Sequence, residues 1–228
     1  MRFLCLHGSG TNSKIFENQT AALRYQLGDH YTFDFVEGNL RVSMAPEFEG
    51  VASPSDNFFQ YAAFDNLASY VTALDQLDAY LRIEGPFDGI LAFSQGAAIA
   101  ITYLVRRMWQ NPVAEHKYPT FKCAIFFSAG GAYDPTLLEK GEVRLLTPEV
   151  DGEVIHIPTM HVWGSRDDTV NALEASAICK TESRQIHVHG GGHEIPGVRM
   201  DNDLRSCVTL MRRVVAMAGR EEGSDEEV

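Results

Sequence analysis

No run of apolar residues in this 228-residue chain is long enough to span a bilayer. Cysteine is scarce. Cys5, Cys123, Cys179 and Cys207 are far apart, form no Cys-x-x-Cys pair and sit in apolar surroundings. A disulfide frame is thereby disfavoured, and the four read as reduced core residues of a cytoplasmic protein. Positive charge is in deficit, with 19 Lys and Arg against 31 Asp and Glu and a net charge of −12. That balance excludes nucleic acid and anionic membranes as partners. Residues 1–8, Met-Arg-Phe-Leu-Cys-Leu-His-Gly, lack the apolar length and cleavage site of a signal peptide and read as a strand. Internal repeats are absent, and low complexity is confined to the acidic end.

What remains is an ordinary globular composition, 45% hydrophobic and 22% charged. The length favours one domain over residues 1–219, with an acidic, disordered tail at 220–228. Strand and helix signals alternate. Residues 3–7 form a short apolar strand. Ile15, Phe16, Leu23 and Leu27 then share one helical face, capped by Asn12 or Ser13 and stopped by Gly28. A strand is expected at 31–36, an irregular insertion at 37–61, and an amphipathic helix through Leu67, Tyr70, Val71, Leu74, Leu77 and Leu81. Further strands fall at 121–128, 159–163 and 184–189. A loop runs to Pro119, a second irregular insertion covers 130–157, a helix runs to Lys180, and a closing helix covers 203–218. This alternation implies an α/β fold with a mostly parallel sheet flanked by helices on both faces.

The stretch Phe87-Asp88-Gly89-Ile90-Leu91-Ala92-Phe93-Ser94-Gln95-Gly96-Ala97 passes from a buried strand through one serine into a helix over 97–109. Small residues two places before and after Ser94 (Ala92 and Gly96) fit a turn too sharp for larger side chains, the nucleophile-elbow spacing. The Gln95 amide, at the positive end of the helix, can face a developing oxyanion. Ligands in such sheets bind at the carboxyl ends of the strands. The loop after strand 159–163 offers Asp167 and Asp168 there, with Asp168 also suited to cap the next helix. The glycine-rich loop His189-Gly190-Gly191-Gly192-His193 offers His193. A serine hydroxyl needs a base to take its proton, an imidazole can accept and return it, and a carboxylate fixes the imidazole tautomer. The order serine, aspartate, histidine is that of α/β-hydrolases. A second oxyanion donor is expected from the loop after the first strand, at Ser9 with Gly10 next, and His7 is placed to orient that loop or merely to end the strand.

Competing readings fare less well. Gly8-x-Gly10 lacks its third glycine, which is Ser13, and no phosphate-binding loop is present. His187, His189 and His193 have no further ligand nearby to complete a metal site. Neither cofactor nor metal is expected. A non-catalytic binding protein of the same fold is the remaining alternative.

With these residues in place, the chain resembles the fungal family of serine hydrolases within the α/β-hydrolase superfamily. The resemblance is carried by Leu6-His7-Gly8 with Asn12 and Phe16, by residues 20–24, by Phe93-Ser94-Gln95-Gly96-Ala97, by His161-Val162-Trp163-Gly164 through Asp167 to Val170, and by His189-Gly190-Gly191-Gly192-His193 with Pro196. Ala92 departs from the usual glycine. The resemblance implies a triad of Ser94, Asp167 and His193 in a cofactor-free esterase or thioesterase. Some members release acyl or polyketide chains from carrier proteins in secondary metabolism. A general small-molecule carboxylesterase is the alternative. Phe48, Phe58, Phe59, Tyr61 and Phe64 of the first variable stretch, and Tyr133, Leu137, Leu138, Leu145 and Leu146 of the second, could roof an apolar acyl pocket. An acidic acyl carrier protein would need a basic patch to dock on, for which Arg106, Arg107, Lys117 and Lys122 are the candidates.

Overall fold

The computed structural model describes residues 1–48 and 56–221. In chain order its elements are β1 (Arg2–Leu6), α1 (Ser13–Gln19), α2 (Ala21–Leu27), β2 (Thr32–Val36), β3 (Leu40–Arg41), β4 (Phe59–Gln60), α3 (Leu67–Glu84), β5 (Gly89–Phe93), α4 (Gln95–Gln110), α5 (Pro112–Lys117), β6 (Cys123–Phe127), α6 (Pro135–Glu139), α7 (Pro148–Asp151), β7 (Thr159–Gly164), α8 (Thr169–Ala177), β8 (Arg184–His189) and α9 (Asp201–Glu221). Six strands form one parallel sheet in the order β2-β1-β5-β6-β7-β8.

Alternation along the strands builds two cores, because successive side chains point to opposite faces. Leu4, Leu6, Ile90, Ala92, Ala124 and Phe126 face a layer containing Tyr70, Leu74, Leu77, Ile101 and Val105 of α3 and α4. Phe3, Cys5, Leu91, Phe93, Ile125 and Phe127 face Phe16, Leu23 and Leu27 of α1 and α2, and Leu204, Met211 and Val214 of α9. The central strands β5, β6 and β7 are buried along their whole length. All four cysteines are buried and unpaired. Among the described residues no helix is long and apolar enough to cross a membrane.

Several elements differ from the sequence reading. The expected single helix between residues 12 and 28 is two, broken at Thr20, whose hydroxyl turns back to donate to the Phe16 carbonyl at 2.9 Å. Asn12 caps the first of them, accepting from the Ile15 amide. The loop expected before Pro119 contains α5. The insertion at 130–157 contains α6 and α7, and that at 37–61 carries the antiparallel pair β3–β4. The second insertion is pinned by Arg144, which bridges Asp134 at the start of α6 and Asp151 at the end of α7. The closing helix begins at Asp201 and reaches Glu221, past the expected stop at 218 and into the expected tail. The rest of that tail lies outside the described residues.

Candidate active site

The connection leaving β1 packs α1 on one face of the sheet, and the connection leaving β5 packs α4 on the other. Between two neighbouring strands whose connections diverge in this way, a crevice opens at the carboxyl ends. Ser9 follows β1 and Ser94 follows β5, so both stand at that crevice.

Ser94 holds φ 54° and ψ −117°, a left-handed backbone that residues with a Cβ rarely adopt and that persists only where the surroundings enforce it. The enforcement is visible at Gly96. A Cβ built there would lie 2.5 Å from the Leu6 carbonyl oxygen and 2.6 Å from that of His7. Only glycine lets α4 start so close to the end of β1. Ala92, fully buried against the α4 layer, takes the other small-residue position of the turn.

Ser94 Oγ lies 2.9 Å from His193 Nε2, and His193 Nδ1 lies 2.9 Å from Asp167 Oδ1. The Asp167 side chain is 7% exposed and that of His193 is 38% exposed. Burial works against ionisation of Asp167. Hydrogen bonding from Ser128 and His193, with the His193 charge and the Asp168 amide, outweighs it and holds the carboxyl below the usual range. With Asp167 ionised, His193 carries its proton on Nδ1 and presents Nε2 as an acceptor to the serine hydroxyl. Asp168 turns the other way. Its carboxylate accepts from the Val170 amide and the Asn171 side chain and caps α8.

The loop that carries His193 is fixed from below. Gly164 packs against the Gly191 and Gly192 carbonyls so closely that a Cβ would lie 2.3 Å from each. The Arg166 amide donates to the Gly191 carbonyl, and the Gly191 amide donates to His189 Nδ1. His187 binds Asp203 instead, so the three histidines of this segment turn to three different partners.

The Gln95 amide is in the first turn of α4 and has no intrahelical acceptor. Across the crevice, Gly8 is in contact with the serine turn, where a Cβ on it would meet Phe93 at 2.9 Å and Ser94 at 3.2 Å. The Gly10 amide is committed to the Phe59 carbonyl, and the Ser9 hydroxyl donates to the Gln60 side chain at 3.3 Å. Buried His7 holds the loop: Nδ1 donates to the Gly8 carbonyl at 2.7 Å and Nε2 accepts from the Gly38 amide at 2.9 Å.

Sequence reasoning missed several supports. The Gln95 side chain accepts from the Tyr61 amide and donates to the Ala62 carbonyl, splinting this segment to the start of α4. The Tyr61 hydroxyl bridges the His7 amide and the Val36 carbonyl. Ser128, at φ 44° after β6, buries its hydroxyl beside Asp167, where it favours the ionised carboxylate. None of these has a local sequence signature, because each partner is far away in the chain.

Of the residues expected to roof a pocket, Phe64, Tyr133 and Leu145 line a cavity that includes Ser94. Phe58, Leu138 and Leu146 are core residues, and Phe48 and Phe59 line a separate cavity beside α1. Of the four cations expected to form a carrier-docking patch, three are paired with acids. Arg106 and Arg107 lie twelve and thirteen residues along α4, about 18 Å from Ser94 at 1.5 Å per residue. Arg106 pairs with Asp75 and Glu139, Arg107 with Asp78 and Glu115, and Lys122 with Asp88.

A parallel sheet with a serine on a left-handed strand-to-helix turn, joined to a histidine from the loop after the last strand, defines the α/β-hydrolase class. Solved structures share this fold: Arabidopsis thaliana SOBER1 matches with a TM-score of 0.57 at 14% identity, over 94% of this chain and 99% of that one. A carboxylesterase from Mesorhizobium loti matches with a TM-score of 0.55 at 15% identity, over 92% and 88%. Within the class, the family model for the FSH1 serine hydrolases matches residues 1–203, and the chain belongs to that family. Esterase FPY3 of Fusarium mangiferae is 40% identical over 222 residues, spanning 96% of this chain and 98% of its own. Hydrolase phiM from a fungal species is 32% identical over 210 residues, spanning 90% and 89%.

Proposed function

We propose that the chain hydrolyses a carboxylic ester or thioester through an acyl-Ser94 intermediate. The observation that carries this reading is the unbroken hydrogen-bonded chain from Ser94 Oγ through both nitrogens of His193 to Asp167. As Ser94 Oγ attacks the acyl carbon, its proton passes to His193 Nε2, and Asp167 stabilises the imidazolium. The carbonyl oxygen becomes an oxyanion held by the backbone amides of Gln95 and Ser9, each such donor contributing about 10²–10³ in rate. His193 then delivers its proton to the departing alkoxide or thiolate. Water, deprotonated by the same nitrogen, releases the acid and restores the serine. No step calls for a metal or cofactor.

The names of esterase FPY3 and hydrolase phiM support an ester as substrate. The resemblance to fungal hydrolases that release acyl or polyketide chains supports the finer reading, a thioesterase of secondary metabolism working in the cytoplasm on a chain held by an acyl carrier protein. Such a carrier approaches the strand-end rim, since Arg106, Arg107 and Lys122 are engaged elsewhere. The test is kcat/KM for matched oxygen esters and thioesters of one acyl group, with Ser94→Ala alongside. Loss of both activities in the variant supports the acyl-serine route, and a thioester preference of tenfold or more supports the finer reading. Undiminished turnover by Ser94→Ala refutes the mechanism.

A further inference from the structure

The cavity beside Ser94 has a volume of about 260 Å³ and is bounded by α3, the start of α4, the loop after β6 and the start of α8. Ser94 and Gln95 line it, but His193 does not. That asymmetry assigns its occupant. The leaving group must lie where His193 Nε2 can protonate it, outside this cavity, whereas the carbonyl oxygen must reach the Gln95 amide that borders it. The remaining substituent of the carbonyl carbon, the acyl chain, is the part directed inward.

The cavity is also small. Ala98 is one helical turn, about 5–6 Å, below Ser94. One turn further on, the Thr102 hydroxyl donates to the Ala98 carbonyl and accepts from the Tyr133 amide, tying the Tyr133 backbone to α4. The Tyr133 ring packs edge-on against Tyr70, centroids 4.9 Å apart. Burial and the neighbouring Tyr133 hydroxyl raise the Tyr70 pKa, so the Tyr70 phenol is neutral. Among the described residues no Lys or Arg lines the cavity. A cavity of about 150 Å³ accommodates benzene, and at the same packing this one holds about ten non-hydrogen atoms.

Resting on the reading of Ser94 as nucleophile, we infer that this cavity is the acyl subsite and that Tyr133 limits it to uncharged acyl groups of up to about ten non-hydrogen atoms. Such groups are a medium straight chain or a single substituted ring. Long fatty acyl chains are excluded.

The test uses p-nitrophenyl esters from acetyl to palmitoyl, kept below their critical micelle concentrations. kcat/KM is expected to peak between hexanoyl and octanoyl and to fall at least tenfold by dodecanoyl. Tyr133→Ala removes a ring that lines the cavity and should raise the dodecanoyl-to-hexanoyl ratio tenfold or more. Gly130→Ala is the gentler variant. Its new Cβ would meet Ala98 Cβ at 3.6 Å and the Ser94 carbonyl oxygen at 3.8 Å, both ordinary contacts. It should shorten the preferred chain by about one or two carbons. A profile flat or rising to palmitoyl, or ratios unmoved in both variants, overturns the inference. So does a series of butyrate esters in which these variants change alcohol selectivity instead. Fluorophosphonate labelling of Ser94 in each protein separates the two failures: labelled enzyme with the wrong length profile refutes the subsite alone, and no labelling refutes the nucleophile.

Discussion

Gly96→Ala is the most revealing single change, because it adds one methyl group and removes no catalytic atom. The new Cβ would lie 2.5 Å from the Leu6 carbonyl oxygen and 2.6 Å from that of His7, both backbone atoms, against the 3.4 Å at which ordinary contact begins. Relief requires the start of α4 and the end of β1 to separate by about 0.9 Å, the difference between 2.5 Å and 3.4 Å. The movement opens the gap between the two loops that carry the Gln95 and Ser9 amides and displaces Ser94 from His193. A misplacement of about 1 Å costs on the order of 10² in rate, so kcat for p-nitrophenyl hexanoate should fall about 100-fold. KM should change far less, since the acyl cavity is bounded largely by other elements. Circular dichroism and thermal unfolding establish that the variant is folded. A folded Gly96→Ala enzyme within threefold of wild-type kcat would refute the argument that this close approach sets the geometry of the turn.

Asp167→Asn should lower kcat by about 10⁴, the cost of the wrong imidazole tautomer in such a triad. Asp168→Asn, which keeps a capping side chain, should change kcat by less than threefold, so steady-state kinetics of the pair tests the division of labour between neighbours. Gln95→Leu leaves the Tyr61 amide and Ala62 carbonyl without their partner. It should lower stability by about 1–3 kcal/mol in urea titrations. His161 is fully buried, and burial, aided by the Arg184 charge, pushes its pKa down to about 3. The unfolded chain, with a His pKa near 6.5, therefore binds the proton first. Stability is complete above about pH 6.5 and falls toward pH 3 by up to about 1.4 kcal/mol per pH unit from this group. His161→Leu should flatten that slope in unfolding curves recorded between pH 7 and pH 4, and an unchanged slope would count against this assignment.

The convergence of the candidate site residues was legible in the sequence because it depends on strand ends. Once β5, β7 and β8 are placed by their apolar runs, the residues just past them converge whatever the side chains elsewhere do, and Ser94, Asp167 and His193 occupy those places. Asp167 is preferred to Asp168 through the capping role that suits Asp168 and through the family resemblance, and the structure gives the two neighbours those different partners. The missed helices have one cause in common. Asn111-Pro112, Asp134-Pro135 and Thr147-Pro148 read as loop breakers, yet each is a cap-like residue followed by proline at the first helical position, where its missing amide and fixed φ favour a helix start. At four to six residues these helices are too short to show periodicity, and two of them are held by Arg144 rather than by propensity. Three of the four cations considered for carrier docking, Arg106, Arg107 and Lys122, pair with Asp75, Asp78, Asp88, Glu115 and Glu139, a property of packing that one-dimensional charge counting does not register.

The central claim, a covalent acyl group on Ser94, is tested most directly by mass spectrometry of enzyme quenched during turnover of a p-nitrophenyl ester. The account predicts a mass increase equal to one acyl group, mapped to the peptide containing Ser94 and absent from Ser94→Ala. An adduct on another residue, or Ser94→Ala that still releases p-nitrophenol at the wild-type rate, would contradict it.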